Sequence, residues 1–437
     1  MTEIWYRLNT VGEKKLFNIK SLIDGAIIPG HLIAFYDGTM PNFIKDLNLP
    51  FLIDPMTYVW GKSPTYVKNG SDMKKSFLKY VEKLDCNLAR QLGVNNISIT
   101  GVTDHDLSIF TNKIIQFQKL LGEVKYNPRS KSLSRIRNRF KNIKDEPTSD
   151  VMPKYLIPPY FQFSNLLGTE YDLTVKAAQM AKTSSYCEEE ALMPCLHMNR
   201  DILYNKTAQM KVVQDFKDYS QVIVWINNFD ERLVSNAGLS HFVDLIESFK
   251  EHDVNVLNLY GSYFSGLMNY HDLYAFSSGI AISHRKDADA MPGGGGMPLR
   301  YYEPSLKMEL VNDEVFRLYA DHPHLFTCDC SICAPISSQV QTLSNKNDIE
   351  AILDPFFLII KSPNGTIIRK PTMYWRQTRT HFLYQRRKEL QEISSTPPNV
   401  ILANLKSDYD YFMQNVDFNL FKNLTTVEHL KKWHDSA

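Results

Sequence analysis

Short apolar runs that end in polar residues recur along this chain of 437 residues, and stretches with helical spacing lie between them. The runs cover residues 31–38, 50–55, 96–101, 154–163, 191–199, 221–230, 254–261 and 279–284. Residues 239–250 instead place apolar side chains at spacings of three and four, which predicts an amphipathic helix. Strands that alternate with helices favour parallel βα units, and about eight such strands predict an α/β fold of the (β/α)8 TIM-barrel type.

Polar residues and glycines close several of these runs. In a parallel barrel, the carboxyl ends of the strands form the face where chemistry gathers. The residues selected by this rule are Asp54, Asn199, Asn228, Asp230 and Gly261, together with those after Ser283. His197 and Asn199 are further candidates to line a site, although a single histidine on an apolar strand also suits the core.

The last third of the chain holds Cys328-Asp-Cys330-Ser-Ile-Cys333, and His381 follows further on. Thiolates and a neutral imidazole are zinc ligands, and four of them fill a tetrahedral site. Because no open position remains, a Zn²⁺ ion bound here would be structural. The alternative is three clustered free cysteines without a metal.

Bulk composition fits a soluble globular protein, with 43% hydrophobic and 22% charged residues and a net charge of +1. Cys86, Cys187 and Cys195 are scattered and do not suggest a disulfide framework, so we expect a reducing cytoplasm. No apolar run reaches the roughly 18 residues that span a bilayer, and the first residues lack the apolar region of a signal peptide. We therefore expect a cytoplasmic protein that uses no membrane.

Two basic segments interrupt the strand and helix pattern. Residues 126–149 are dense in Arg and Lys, including Arg137 and Arg139, and residues 374–388 combine basic with aromatic side chains, including Arg386 and Arg387. Such segments suit the backbone and bases of a nucleic acid. The alternatives are a solvated helix face or a flexible insertion for the first segment, and a zinc-pinned helix with an exposed basic face for the second.

The predicted organisation is a barrel over residues 1–300, with the basic insertion at about 126–149, and a zinc-binding, nucleic-acid-contacting region over residues 301–437. A glycine run within residues 288–300 predicts either a mobile loop over a ligand or an ordinary linker. Asn364-Gly365 lies between two apolar runs, which indicates a β-hairpin.

The motifs around the cysteines carry a family resemblance. Arg300-Tyr-Tyr302-Glu-Pro-Ser-Leu306 precedes them, and His381-Phe-Leu-Tyr384 follows. This order resembles the end of the tRNA-guanine transglycosylase fold, where an R-Y-[LY] element leads into C-x-C-x-x-C and a later histidine completes the zinc site. The resemblance is firmest over about residues 254–393. The interval from Cys333 to His381 is longer than in that family, and the predicted hairpin accounts for the excess.

The barrel departs from the family pattern at two places. Asp54 matches the aspartate of D-S-G-G-F-Q, but the glycines are absent, and Asn227-Asn228-Phe-Asp230-Glu231 replaces G-G-L-S-V-G-E. The chain is therefore most similar to the DpdA-type 7-deazaguanine DNA transglycosylases of bacteria and phages. The resemblance implies a pentosyltransferase that exchanges guanine in DNA for a 7-deazaguanine such as 7-cyano-7-deazaguanine.

Base exchange of this kind needs two carboxylates. One attacks the anomeric carbon and holds a covalent sugar–enzyme intermediate, and the other carries protons. Asp54 is the candidate proton carrier, unless it caps the following helix. The family's nucleophile ends the last barrel strand, where His284 stands instead of aspartate. Asp287 is the predicted nucleophile in a shifted register, with Asp289 and Asp230 as alternatives.

The remaining predicted contacts complete this hypothesis. Asp230, Asn228, Gly261 and His284 are the expected base-binding residues, because a carboxylate recognises the N1–H and amine of guanine well. The expected partners are DNA or alternatively tRNA, a free 7-deazaguanine base, and a partner protein or second copy of the chain, in a bacterial cell or phage-infected host. Two further functions stay open: exchange on tRNA, and a catalytically silent zinc-containing subunit that binds nucleic acid.

Overall fold

The computed structural model describes residues 1–8, 20–36, 40, 43–44, 48–60, 68–69, 72–93, 99–121, 152–186, 191–278 and 299–437. Its strands up to residue 278 are β1 (Glu3–Arg7), β2 (Gly25–Pro29), β3 (Phe51–Asp54), β4 (Lys68–Asn69), β5 (Asp72–Met73), β6 (Cys195–Met198), β7 (Gln221–Ile226), β8 (Asn255–Leu259) and β9 (Ala275–Ser278). Seven of them form one curled parallel sheet, a half-barrel in the order β3-β2-β1-β9-β8-β7-β6. β4 and β5 pair only with each other, antiparallel.

The sheet is buried on both faces. Every residue of β2, β3, β6 and β7 is buried, and β8 is buried after its first residue. A parallel sheet that is covered on both sides needs apolar side chains in both directions, so its strands read as continuous apolar runs. The predicted strands within residues 50–55, 191–199, 221–230 and 254–261 are confirmed as β3, β6, β7 and β8.

A segment of irregular backbone over residues 152–163 joins the two edges of this sheet. Leu52 bridges Tyr155 on the β3 side, whereas Leu156 bridges Leu192 and Phe163 bridges Met198 on the β6 side, all in parallel orientation. Pro158 and Pro159 lie inside the segment and have no N–H group to donate, which explains isolated bridges where a regular ladder was predicted.

The first predicted strand is wrong. Residues 31–38 were expected to be extended, but the strand is β2, immediately before them, and α1 (Gly30–Phe35) follows it. A short apolar run does not distinguish a buried strand from a buried helical turn. The patterns also missed β1 and β9, and the predicted strand at 279–284 lies outside the described residues.

Helices cover the sheet. They are α1, α2 (Lys75–Leu84), α3 (Asn87–Gly93), α4 (Asp104–Lys119), α5 (Thr169–Lys182), α6 (Arg200–Leu203), α7 (Lys206–Phe216), α8 (Asn236–Lys250) and α9 (Tyr263–Leu267). α8 confirms the helix predicted at 239–250 and buries Leu239, Phe242 and Ile246 along one face. Short 3-10 helices occur at Lys20–Leu22, Thr57–Val59, Ile99–Gly101 and Met268–His271.

The C-terminal region adds two hairpins and six helices to the described structure. Its elements are β10 (Arg300–Glu303), β11 (Met308–Val311), α10 (Asn312–Asp321), α11 (Ala334–Val340), α12 (Lys346–Phe357), β12 (Ile360–Lys361), β13 (Ile367–Arg369), α13 (Trp375–Ser395), α14 (Pro398–Asn415) and α15 (Glu428–Ser436), with 3-10 turns at Pro323–Leu325 and Phe418–Leu420. β12 and β13 pair antiparallel around Gly365, whose φ is +81°, so the hairpin predicted at Asn364-Gly365 is confirmed.

The C-terminal helices pack directly on the half-barrel. Trp433 of α15 is fully buried, and its Nε1 donates to the Glu231 carbonyl oxygen at 2.9 Å. The neighbouring Lys432 Nζ donates to the carbonyl oxygens of Arg232 and Val234. These contacts hold α15 against the loop that follows β7. Within the described residues, no helix has the length and apolarity needed to cross a membrane.

Candidate functional site

Cys328, Cys330, Cys333 and His381 come together as one buried cluster. Their ligand atoms all lie within 4.8 Å of one another, and His381 Nδ1 is 3.3, 3.6 and 3.5 Å from the sulfurs of Cys328, Cys330 and Cys333. A tetrahedral zinc with Zn–S of about 2.3 Å and Zn–N of about 2.0 Å would separate sulfur from nitrogen by about 3.5 Å. The geometry therefore fits a structural metal such as zinc, as predicted from the cysteine spacing.

Local backbone hydrogen bonds shape the cysteine turn. The Cys333 N–H donates to the Cys330 carbonyl oxygen at 3.0 Å and lies 3.4 Å from the Cys330 sulfur. α11 begins directly after Cys333, and α13 supplies His381 from the opposite side. One helical turn beyond His381, Gln385 Nε2 donates to the Cys328 sulfur at 2.9 Å. The cluster therefore joins a tight turn to a long helix.

The outer contacts of His381 decide which ring nitrogen faces the sulfurs. Its Nε2 lies 2.8 Å from the Tyr302 carbonyl oxygen, which accepts the Nε2 proton and leaves Nδ1 free to bind a metal. The ring of Tyr301 stacks on the imidazole at 4.1 Å, and its hydroxyl lies 3.7 Å from the Cys333 sulfur. β10 thus orients the histidine, which gives Arg300-Tyr-Tyr302 a physical role.

The thiols and the imidazole of the cluster influence one another's pKa. Hydrogen bonds with Cys328 and Cys333 lower the pKa of Cys330, whereas burial raises the pKa of Cys333. Burial acts to lower the pKa of His381, but its contacts with the thiols of Cys328 and Cys330 raise that pKa to about 10. Buried thiolates are stable only beside a cation, and a divalent metal supplies it. Four protein ligands would complete a tetrahedral coordination and would leave no position for a reacting water.

Asp54 lies at the carboxyl end of β3 and is only 2% exposed. Its Oδ1 accepts hydrogen bonds from the Tyr160 hydroxyl at 2.7 Å and from the Met56 N–H at 2.8 Å. The Met56 contact precedes the 3-10 helix at Thr57–Val59, so Asp54 does organise the turn that follows its strand. The carboxylate that is the candidate for proton transfer is therefore the same one that binds the backbone of the turn after β3.

Arg7, at the carboxyl end of β1, forms a buried ion pair with Asp54. Arg7 Nη2 lies 2.5 Å from Asp54 Oδ2, and both side chains are almost fully buried. Burial acts to lower the pKa of Arg7, but interactions with Tyr260 and Asp54 outweigh it and raise that pKa, so the guanidinium stays charged. Among the described residues, Arg7 Nη1 has no hydrogen-bond partner. Sequence reasoning missed Arg7, although a charge ending the apolar stretch Ile4-Trp-Tyr-Arg7 was a usable signal.

Aromatic rings surround this ion pair inside the half-barrel. His197 stacks on Trp225 at 3.6 Å with an interplanar angle of 4°, and both meet Tyr58 edge-on. The Tyr160 ring that holds Asp54 is stacked near Tyr58 at 5.8 Å. His197 is thus a packed member of the interior, consistent with the core alternative given for it.

The acidic pair after β7 stabilises a loop. Asp230 is 3% exposed and binds Arg232 through both carboxylate oxygens, at 3.1 and 3.0 Å. Glu231 is fully buried and accepts hydrogen bonds from the backbone and hydroxyl groups of Ser262 and Ser265. Burial raises the pKa of Glu231, and the serine hydrogen bonds oppose that rise. Glu231 is a buried carboxylate that the sequence patterns did not single out.

The other predicted base-binding residues lie near this loop. Asn228 follows β7 with a positive φ of 53° and is half-buried, as is Asn199, whose Oδ1 accepts from Gln162 Nε2 at 2.7 Å. A Cβ on Gly261 would lie 2.4 Å from the Ser265 hydroxyl oxygen, so this position requires glycine for packing. Gly261 therefore allows the Ser262–Ser265 turn to approach Glu231.

The two residues of α13 that were predicted to bind nucleic acid form contacts within the fold. Arg386 is 2% exposed, lies over the Tyr302 ring at 4.6 Å and pairs with Glu389 at 3.1 Å. Arg387 binds Asp24 at 2.8 Å and the Leu22 carbonyl oxygen at 3.2 Å. Arg386 is therefore inaccessible to a backbone phosphate, which corrects its predicted role, and Arg387 ties α13 to the turn before β2.

Several predicted site residues lie outside the described part of the chain. They are the catalytic candidates Asp287 and Asp289, His284, the insertion at 126–149 with Arg137 and Arg139, and the glycine run up to residue 298. Comparison of the chain with known protein families, curated proteins and solved structures finds no match. The site is therefore interpreted from its own residues.

Proposed function

We propose that the chain is a guanine transglycosylase that exchanges guanine in DNA for a 7-deazaguanine base. The observation that carries this proposal is the buried cluster of Cys328, Cys330, Cys333 and His381, oriented by β10 beside a curled parallel sheet. This motif, chain order and architecture agree with the resemblance to the tRNA-guanine transglycosylase fold.

We infer that the segment over residues 152–163 acts as the eighth member of a closed barrel. The Lys154 N–H donates to the Phe51 carbonyl oxygen at 2.8 Å on the β3 side, and the Phe163 N–H donates to the His197 carbonyl oxygen at 3.0 Å on the β6 side. A sheet that closes on itself has no free edge, which favours this arrangement. The carboxyl ends of its strands would then surround Asp54.

The proposed chemistry proceeds through two displacements at the anomeric carbon of the nucleotide. A carboxylate oxygen forms a bond to that carbon while the bond to guanine breaks, and the departing guanine takes a proton. The incoming 7-deazaguanine then loses a proton, attacks the same carbon and releases the carboxylate. Asp287 remains our candidate nucleophile. The metal has no step in this reaction, since its ligands complete a closed site.

Asp54 is the proposed proton carrier, and Arg7 is its positioning residue. The contacts of Asp54 with Arg7, Tyr160 and Met56 all come from donors, so its oxygens act as acceptors in this network. Holding the carboxylate from two sides also limits its rotation, which favours proton transfer along one direction. Each donor belongs to a different stretch of the chain, so the orientation depends on the closed sheet.

The proposal is tested by incubating the purified protein with radiolabelled guanine and either duplex DNA or tRNA. We expect label to enter duplex DNA, and we expect Asp54→Asn to reduce the rate by about 10²- to 10⁴-fold, the usual contribution of a general acid–base group. Cys86→Ser, at a buried residue outside the metal cluster, is a control for the effect of a buried substitution on the rate, and circular dichroism of both variants checks that they are folded. If label enters tRNA alone, the substrate is RNA and not DNA. If label enters neither polymer, the proposal is refuted.

A second function is a zinc-containing nucleic-acid-binding subunit without chemistry of its own. The pairing of both carboxylates favours it, since Asp54 is ion-paired with Arg7 through Oδ2 and hydrogen-bonded through Oδ1, and Asp230 is paired with Arg232. This alternative predicts that DNA is bound but no covalent adduct forms between protein and DNA. Mass spectrometry of the protein after incubation with DNA separates the two functions, since a transglycosylase gains the mass of a nucleic-acid fragment.

A further inference from the structure

Positive charge is concentrated in one stretch of the C-terminal region. Residues 358–388 contain no Asp or Glu, although the whole chain has a net charge of only +1. The eight basic residues of this stretch are Lys361, Arg369, Lys370, Arg376, Arg379, Arg386, Arg387 and Lys388. A surface with charge of a single sign attracts a polyanion.

Burial and pairing separate seven of these eight residues into two groups, and the eighth, Arg379, is half-buried. Four of them pair with carboxylates elsewhere in the fold, namely Arg369 with Asp354, Arg386 with Glu389, Arg387 with Asp24 and Lys388 with Asp329. In contrast, Lys361, Lys370 and Arg376 are exposed and form no ion pair with any residue in the described ranges, and Lys370 Nζ lies over the Tyr374 ring at 5.0 Å. The charge available to a partner is therefore at the β12–β13 hairpin and at the start of α13.

The hairpin also exposes apolar side chains. Ile360, Ile367 and Ile368 are 40%, 38% and 68% exposed, and β12 and β13 pair with no other described strand. The tip is held by the Ser362 N–H, which donates to the Thr366 carbonyl oxygen at 2.8 Å. The result is an isolated two-stranded ribbon that carries isoleucines between basic residues.

The base of the hairpin is firmly anchored. The Thr372 and Met373 N–H groups donate to the carbonyl oxygens of Pro355 and Phe356 at 3.1 and 2.9 Å. Asn312 Nδ2 donates to the carbonyl oxygens of Phe357 and Met373. α13 begins just beyond and supplies His381 to the metal cluster. The hairpin is therefore anchored at its base by backbone and side-chain hydrogen bonds, next to the helix that carries His381.

We propose that the β12–β13 hairpin, with Lys370 and Arg376, inserts into the major groove of duplex DNA. This inference rests on the proposed function and assigns its duplex-binding element. The major groove of B-DNA is wide enough for a two-stranded ribbon, and apolar side chains contact the thymine methyl groups there. Lys361, Lys370 and Arg376 would neutralise phosphates on the groove walls. A-form RNA has a deep and narrow major groove that excludes such a ribbon.

The charge distribution also disfavours a second copy of the chain as the occupant. Two such hairpins placed face to face would bring their exposed cations together, since Asp354 is already paired with Arg369, and like charges repel. A surface whose unpaired charges are positive instead complements phosphate. DNA is thus the partner that satisfies both the free cations and the exposed isoleucines.

The test measures binding of the full-length protein to a fluorescent duplex of random sequence over a range of salt concentrations. The variant Lys361→Gln/Lys370→Gln/Arg376→Gln removes the three free cations. We expect its log–log salt slope to be smaller by about 2 to 3 and its Kd to rise at least about tenfold at 0.1 M salt. The charge-matched control Lys79→Gln/Lys406→Gln/Lys422→Gln removes three exposed lysines elsewhere and should keep the wild-type slope.

A second variant isolates the apolar contacts. Ile367→Ser/Ile368→Ser should weaken DNA binding with the salt slope unchanged, since no phosphate contact is lost. Equal slopes in the hairpin and control triple variants would overturn the proposal. The proposal would also be overturned if the hairpin triple variant kept its DNA affinity but changed its oligomeric state. The same holds if it kept its DNA affinity but bound vesicles containing phosphatidylserine more weakly.

This design distinguishes a failure of the hairpin inference from a failure of the proposed base exchange. If the wild-type protein binds DNA through the hairpin but exchanges no base, the inference stands and the proposed function fails. If the triple variant binds and modifies DNA as the wild type does, the hairpin inference fails and the proposed function stands.

Discussion

Asp54 and Arg7 meet inside the sheet from strands that are not neighbours, since β2 lies between β3 and β1. Two charges at this depth lose their hydration, so each is tolerated because the other is present. Tyr160 supplies a further hydrogen bond to the same carboxylate, and burial raises its pKa, so its hydroxyl remains a donor. At the scale of single residues, this buried network therefore positions the carboxylate that is the proposed proton carrier.

Breaking this pair from one side should destabilise the protein strongly. Asp54→Asn leaves a buried guanidinium without its counter-ion, and Arg7→Met leaves a buried carboxylate, so we expect each to lower the free energy of unfolding by about 3–5 kcal/mol. The double variant should lose much less free energy of unfolding than the two single variants together, because neither buried charge remains. Urea unfolding of the four proteins measures this coupling.

Tyr160→Phe serves as the control for the same network, since it removes one hydrogen bond to the carboxylate but keeps the ion pair, and should cost about 1.5–3 kcal/mol. Strictly additive losses for Arg7→Met and Asp54→Asn would mean that the two side chains do not stabilise each other, contrary to their 2.5 Å separation.

At the scale of elements, the cysteine cluster joins a turn, a strand and a long helix of the C-terminal region. The cysteine turn directly before α11 supplies three of the four residues, α13 supplies the fourth, and β10 orients the histidine. α13 in turn contacts the turn before β2 through Arg387 and the α9 helix through Leu390, which lies close to Gly266. Losing the metal should therefore loosen α13 along its whole length.

Cys330→Ser should abolish stoichiometric zinc binding and lower the melting temperature, because three ligands hold a structural metal much more weakly than four. Metal content by mass spectrometry and thermal unfolding by circular dichroism give the two readouts. Cys195→Ser, at a buried cysteine outside the cluster, should leave the metal content unchanged. Full zinc occupancy in Cys330→Ser would exclude Cys330 as a ligand.

At the scale of the whole molecule, α15 closes the C-terminal region over the loop after β7. His429 is buried, and its Nε2 donates to the Leu306 carbonyl oxygen at 2.8 Å, so α15 is bound to the β10–β11 hairpin as well. Burial lowers the pKa of His429 to about 4, with the positive charges of Arg232 and Lys432 acting in the same direction. The folded protein thus keeps this histidine neutral.

This shift predicts a dependence of stability on pH. Between about pH 6.5 and pH 4, the unfolded chain binds a proton at His429 and the folded chain does not, so stability falls as the pH falls. For this group alone, we expect the free energy of unfolding to drop by about 2 kcal/mol from pH 7 to pH 5. Urea titrations of the wild type and His429→Gln at both pH values measure the difference.

The variant should lose that part of the pH dependence and keep the rest, because glutamine also donates a hydrogen bond but does not titrate. Identical pH profiles for the wild type and His429→Gln would show that the histidine is equally protonated in both states, in conflict with its burial.

Much of this organisation could be predicted from patterns that are local in sequence. The spacing of Cys328, Cys330 and Cys333 encodes three ligands within one turn, and Asn364-Gly365 encodes a hairpin because few other residues adopt its backbone angles. Buried parallel strands such as β7 read as apolar runs since both of their faces are covered. These signals are short-range, so one sequence suffices to recognise them.

Tertiary structure alone decided which charged residues are buried and which are free. Arg386 and Arg376 look alike in sequence, yet one is enclosed by Tyr302 and Glu389 and the other is exposed. Arg7 forms an ion pair with Asp54, and Arg387 forms one with Asp24, although the partners are far apart in sequence. A basic side chain's role depends on the elements that pack over it, and that packing arises only when distant segments meet. The sequence by itself therefore determined the metal ligands and the parallel sheet, and the fold determined the buried ion pair and the free cations of the hairpin.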